Sequence, residues 1–194
     1  MPAKIAEKIY NLIKDAKHSN DDTILNHSEI KEVFFSPFKP QLKNTKVFLS
    51  HSHADKNKAL EVKNYLESET DHRVFIDSLF WDYKDNVLNK LAKYDNTSKI
   101  KDAFVLILRE SLQDMIEKCP YFVFLQSSNS VSNQGLSCTT YSAWVYEELK
   151  IAHSIRESRP TPMMESWQAF HDISPFLENL ETITLKELSQ QINS

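Results

Sequence analysis

The sequence predicts an α/β protein: a parallel sheet with helices on both faces, preceded by an N-terminal helical extension. Short strand-like runs have cores that are apolar on both faces, "KVFLS" (Lys46–Ser50), "RVFID" (Arg73–Asp77) and "YFVFLQ" (Tyr121–Gln126). A strand buried on both faces reads this way, and such strands belong to parallel sheets. Helical patterns separate the runs, as the crossovers between parallel strands require. The 194-residue length and 41% apolar content suit one domain with an extension.

Along the chain, residues 4–17 place Ile5, Ile9, Leu12, Ile13 and Ala16 at helical spacing. The stretch 28–44 carries Pro37 and Pro40 and reads as an extended linker. The boundary therefore falls near Asn44, giving an N-terminal helix and linker over 1–44 and the main domain over 45–194. After the first strand, "KNKALEVKNYLESE" has Ala59, Val62, Tyr65 and Leu66 on one helical face. Residues 77–84 read as a loop, "NVLNKLAKY" as a helix, and "KDAFVLILRESLQDMIEKC" as a long helix. Residues 127–140 read as a polar loop, and "YSAWVYEELKIAHSIRE" as a helix with Ser142 as its N-cap. "TPMME" and "LETIT" are candidate late strands, and Leu185–Ile192 a closing helix.

Several function classes drop out. One glycine, Gly135, leaves no room for a dinucleotide fingerprint or a P-loop. A net charge of −4 with scattered basic residues gives nucleic acid no electrostatic footprint. The longest apolar run, Ala103–Leu108, is too short to span a bilayer. The N-terminus lacks a signal-peptide core, and Cys119 and Cys138 make neither a disulfide framework nor a zinc pattern, so a reducing, cytoplasmic setting is expected.

In parallel sheets, ligands bind beyond the carboxyl ends of the strands. Those ends are Ser50–Asp55, Asp77–Lys84 and Ser127–Asn129, all polar. "FLSHSHAD" offers His51, His53 and Asp55 as zinc ligands, as in metallo-β-lactamase-type hydrolases, although Lys56 stands where that turn continues with histidine. The other reading is an exposed loop.

A broader resemblance covers residues 46 to about 157. "KVFLSHSHADKNKALEVKNYLE", "RVFIDSLFWDYKDNVLNKL", "CPYFVFLQSSNS" and "WVYEELKIA" occur in the order of a TIR domain and resemble bacterial TIR proteins, among them those of the Thoeris antiphage system. The resemblance implies a TIR/flavodoxin-like fold that cleaves NAD+ as substrate, with no cofactor. It implies Glu148 as the catalytic carboxylate, one turn after Trp144 in Trp-x-x-x-Glu, and residues four apart share a helical face. Glu147 is the fallback. Ser50, His51, Asp77, Trp81, Asp82, Ser127 and Asn129 are the implied substrate contacts. Asp82 would lie in a loop like the family's BB loop, without its usual glycine. Glu148 is expected to act ionised, without a strong pKa shift. Contacts between copies, and a diffusible nucleotide that reaches a separate effector, are the implied partners. A TIR scaffold without turnover is the alternative. The insert 92–118 and the N-terminal helix suggest packing or protein contact.

Overall fold

The computed structural model describes residues 2–17, 27–36, 43–91, 98–134, 137–156 and 171–194. They form two compact units, one built from 1–43 with 78–112 and the other from 44–77 with 113–194.

The first unit is helical. Helices α1 (Pro2–Lys17) and α2 (His27–Phe35) pack with each other, and α1 packs along α4 (Ser78–Leu91). Ile5, Ala6, Ile9, Ile30, Phe34 and Val87 are buried, and the Phe34 ring meets Tyr83 at 5.2 Å between centroids. Ile5 and Ile9 of the α1 stripe thus find their cover within this unit. Two expectations need correction here. Residues 28–35, expected to be extended, are helical, and the helix stops just before Ser36 and Pro37, because a proline disfavours helical geometry in the residue preceding it. Pro37 and Pro40 themselves lie outside the described residues. Residues 78–84, expected to be a loop, are the opening turns of α4. "SLFWDYKDNVLNKL" has no glycine or proline to break it, so the helix begins as soon as β2 ends. Helix α5 (Ser98–Lys118) covers most of the insert.

The second unit is the α/β body. Strands β1 (Thr45–Ser50), β2 (Arg73–Ile76) and β3 (Tyr121–Phe124) form a parallel sheet in the order β2-β1-β3, the order that opens a flavodoxin-like sheet. Leu49 pairs with Ile76 on one side and Val123 on the other, and Ser50 pairs with Phe124. Side chains alternate between faces. Val47 and Leu49 point into a core with Ala59 and Leu66 of α3 (Lys56–Glu69) and with Leu188 and Ile192 of α8 (Leu185–Asn193). Phe48 faces the other way, between Phe75 and Phe122 at 5.5 and 5.8 Å, and Phe122 and Phe124 of that side meet the core of α6 (Ala143–Arg156), with Val145 and Leu149. Helices therefore cover both faces. The outer edge of β2 is closed by side chains: the Val74 N–H donates to Glu67, and Lys63 donates to the Val74 carbonyl, both bonds 2.9 Å.

Residues 127–140, expected to be all loop, include a second, antiparallel sheet. It comprises β4 (Ser132–Gln134), β5 (Ser137–Thr140) and β6 (His171–Asp172). The polar serines and threonines conceal it, since its pairing is carried by backbone bonds rather than by an apolar alternation. "TPMME" lies outside the described residues, and "LETIT" is not a strand. Its final Thr184 instead caps α8, accepting from the Glu187 N–H while the Glu187 side chain accepts from Thr184. α7 (Ser174–Leu177) is a single short turn.

Phe48 is fully buried at the centre of the sheet. Phe48→Ala is expected to cost about 3–5 kcal/mol of stability by urea denaturation. A loss under about 1 kcal/mol would mean that β1 is not the central strand.

Candidate functional site

The carboxyl end of β1 carries a cluster of buried polar residues that the alternation of the strand dictates. Phe48 points toward the α6 side of the sheet, so Ser50, two residues on, points there too. There it meets α6, and the Ser50 hydroxyl donates to Glu148 Oε2. α6 starts where Ser142 accepts from the Val145 N–H at 3.3 Å, as its N-cap. From that start, Val145 and Leu149 face the core, and the neighbouring stripe of the helix carries Trp144, which is half-buried, and Glu148, which is fully buried. Glu147 is half-buried.

Just beyond β2, the buried Asp77 completes the cluster, close enough for its charge to bear on the Glu148 carboxyl. His51 Nδ1 stands 3.2 Å from Asp77 Oδ1, a close contact in which the ring N–H is not aligned on the oxygen. Four residues named from the sequence, Ser50, His51, Asp77 and Glu148, thus come together, and all are at least nine-tenths buried.

The electrostatics overturn one expectation. The Glu148 carboxyl is not held near its usual pKa but pushed well above it. Burial is the main cause, and the neighbouring Asp77 carboxyl adds to it. The Ser50 hydroxyl opposes the shift only in part. The sequence could not supply this, because burial and a second carboxyl are properties of the folded site.

Asp55 shows the opposite outcome. It is 2% exposed, yet it accepts from the Ser127 hydroxyl and from Asn129 Nδ2 at 2.9 Å, with Lys58 Nζ at 3.6 Å. Burial alone would raise its pKa, but these donors outweigh it and hold the carboxyl below the usual aspartate range. Ser127 and Asn129 are therefore placed as partners of Asp55, tying the loop after β3 to the turn after β1. The three candidate zinc ligands are not brought together either. Asp55 is engaged by Ser127 and Asn129, His51 is buried beside Asp77, and His53 is exposed. Among the described residues no three His, Cys, Asp or Glu side chains gather to hold a metal.

Trp81 and Asp82 lie in helix α4 rather than in a loop after β2, and their side chains are outside the described residues. A cavity of about 270 Å³ lies elsewhere in the second unit, lined by Phe122, Leu149, His153, Phe176 and Asn179. None of the four clustered residues lines it, and it falls below the usual range for a ligand of dinucleotide size. Among the described residues, no helix is long and apolar enough to cross a membrane.

Two outcomes follow for stability. A carboxyl whose folded pKa is raised contributes stability that is full below the unfolded value and is lost as pH rises through the folded value. The melting temperature of the protein should therefore fall, relative to Glu148→Gln, as pH rises above the ordinary glutamate value of 4.5. Parallel curves from pH 4 to 9 would refute the raised value. Asp55, with its lowered pKa, contributes stability that is present above 3.8 and lost as pH falls through the lowered value. Asp55→Ala should cost about 1–3 kcal/mol at pH 7 by urea denaturation, because two donors lose their acceptor. A neutral result would show that Asp55 does not anchor these loops.

Comparison of the chain with protein-family models, with curated proteins and with solved structures gives no match.

Proposed function

We propose that this chain is an NAD+ glycohydrolase or cyclase that cleaves the nicotinamide–ribose bond, with Glu148 as its catalytic carboxylate. The observation that carries this is the place of Glu148. The glutamate of the Trp-x-x-x-Glu segment lies with Ser50, His51 and Asp77 beyond the carboxyl end of β1, where the strand order reverses. That is the position at which ligands bind to open α/β sheets.

Nicotinamide is a cationic substituent that departs neutral. The C1′–N bond breaks, its electron pair stays with the ring, and an oxocarbenium-like centre is left on the ribose. An ionised Glu148 stabilises that centre and accepts from the ribose hydroxyls. Trp144, one turn earlier and half-buried, supplies an aromatic face for stacking. Attack by water gives ADP-ribose and releases a proton. Attack by an atom of the same nucleotide gives a cyclic isomer. The cyclic product would serve as a diffusible signal to a separate effector in cytoplasmic antiphage defence, and contacts between copies of the chain would promote activity.

The zero exposure of Glu148 favours a second reading, a TIR-like interaction scaffold without turnover. In the enzymatic reading the side chains around Glu148 part to admit the nucleotide.

Purified protein at high concentration is expected to consume NAD+, and Glu148→Gln to lower the rate by at least about a hundredfold. Mass analysis of the products separates hydrolysis from cyclisation. Equal rates in both proteins would mean that another carboxylate acts, and no consumption in either would favour the scaffold.

A further inference from the structure

Glu148 brings its carboxyl to the sheet on a long side chain whose last torsion is broad and roughly two-fold. Left alone, such a carboxyl presents either oxygen. Ser50 is the opposite case. It ends β1 and pairs with Phe124 of β3, and its carbonyl accepts from the Leu125 N–H at 2.9 Å, so the sheet holds its backbone. Its side chain is short, and the residue is fully buried. The Ser50 hydroxyl is bonded to Glu148 Oε2. A hydroxyl both donates and accepts, so this bond can hold Oε2 whichever charge the carboxyl carries. The other oxygen differs. Glu148 Oε1 is buried and, among the described residues, has no hydrogen-bond partner. A buried acceptor without a partner is costly, and native structures carry few of them.

We propose that Ser50 is a positioning residue that holds Glu148 by Oε2 and so leaves Oε1 as the oxygen that meets the ribosyl ligand. The ribosyl ligand rests on the NAD-cleaving reading, whereas the division of labour between the two oxygens does not. The family resemblance implies Ser50 as a substrate contact. Its hydroxyl is instead committed to Glu148, and a hydroxyl has a single proton to give. The division has a chemical purpose. A carboxylate stabilises a developing cation best when it is already oriented, because it then needs no reorganisation at the moment of reaction. A donor on a paired strand supplies that orientation more firmly than one on a loop. Oε1, with its lone pairs unspent, is then the acceptor for a ribose hydroxyl and the nearer charge for the ribosyl cation.

Two measurements on the full-length protein test this. The first needs no substrate. In urea denaturation Ser50→Ala should lower the folded-to-unfolded ratio about tenfold, because a buried carboxyl loses its donor. In a Glu148→Leu background the same change should cost nothing or stabilise, because the hydroxyl there has no carboxyl to meet. An equal loss in both backgrounds would overturn the proposal, since Ser50 would then act by packing alone. The second measurement is NAD+ turnover, counted per folded molecule. Ser50→Ala should lower kcat about tenfold or more and leave KM within about threefold, as a misplaced group does and a lost substrate contact does not. A raised KM with unchanged kcat would overturn the proposal, because Ser50 would then bind the substrate itself. Coupled stabilities with no turnover in any of the proteins would uphold the hold of Ser50 on Glu148 and reject the NAD-cleaving reading, so the two failures are distinguishable.

Discussion

Much of the second unit depends on the pairing of β1 between β2 and β3. A parallel strand with neighbours on both sides must be apolar on both faces, and Val47, Phe48 and Leu49 satisfy this. The same pairing requires helical crossovers and brings the carboxyl ends of the strands to one edge, while α3 and α8 cover one face and α6 the other. Once Phe48 is committed to the side of α6, the two-residue repeat sends Ser50 to that side as well. The hydroxyl that meets Glu148 is thus set by the register of a phenylalanine two residues earlier.

The unit holds two buried carboxyls with opposite fates, which shows how neighbours rather than burial decide the charge. Asp55 and Glu148 are both almost excluded from water. Asp55 is surrounded by donors, Ser127, Asn129 and Lys58, and stays ionised. Glu148 has one hydroxyl donor and a second carboxyl beside it, and its charged form is disfavoured. The first arrangement suits a fixed anchor that holds two loops together. The second is a high-energy arrangement for an acid and has no packing advantage over an apolar residue of similar size. Such local conflict is characteristic of sites kept for chemistry.

The helical unit gives the N-terminal extension a structural role. α1 and α2 pack with each other, and α1 with α4, a helix from the segment between the second and third strands. An extension distant in sequence from that segment thus completes its core. Several features of this unit were hidden in the sequence for identifiable reasons. The two prolines after residue 36 gave 28–44 an extended look, although a proline restricts only the residue before it and leaves the helix upstream intact. The opening turns of α4 were concealed by analogy with a loop whose glycine this chain lacks.

The sequence by itself determined the three parallel strands, the main crossover helices and the Ser142 cap, because strand and helix periodicity and capping chemistry are local properties of the chain, whereas Ser50, His51, Asp77 and Glu148 are named only as what a family resemblance implies. The tertiary structure alone decided what those residues meet. It withdrew Glu148 from water, set Asp77 against it and placed His51 beside Asp77. It also took Asp55, Ser127 and Asn129 for an anchor. A protonation state depends on burial and on neighbours far away in sequence, here Ser50 and Asp77 around Glu148, and no pattern of spacing along the chain encodes that.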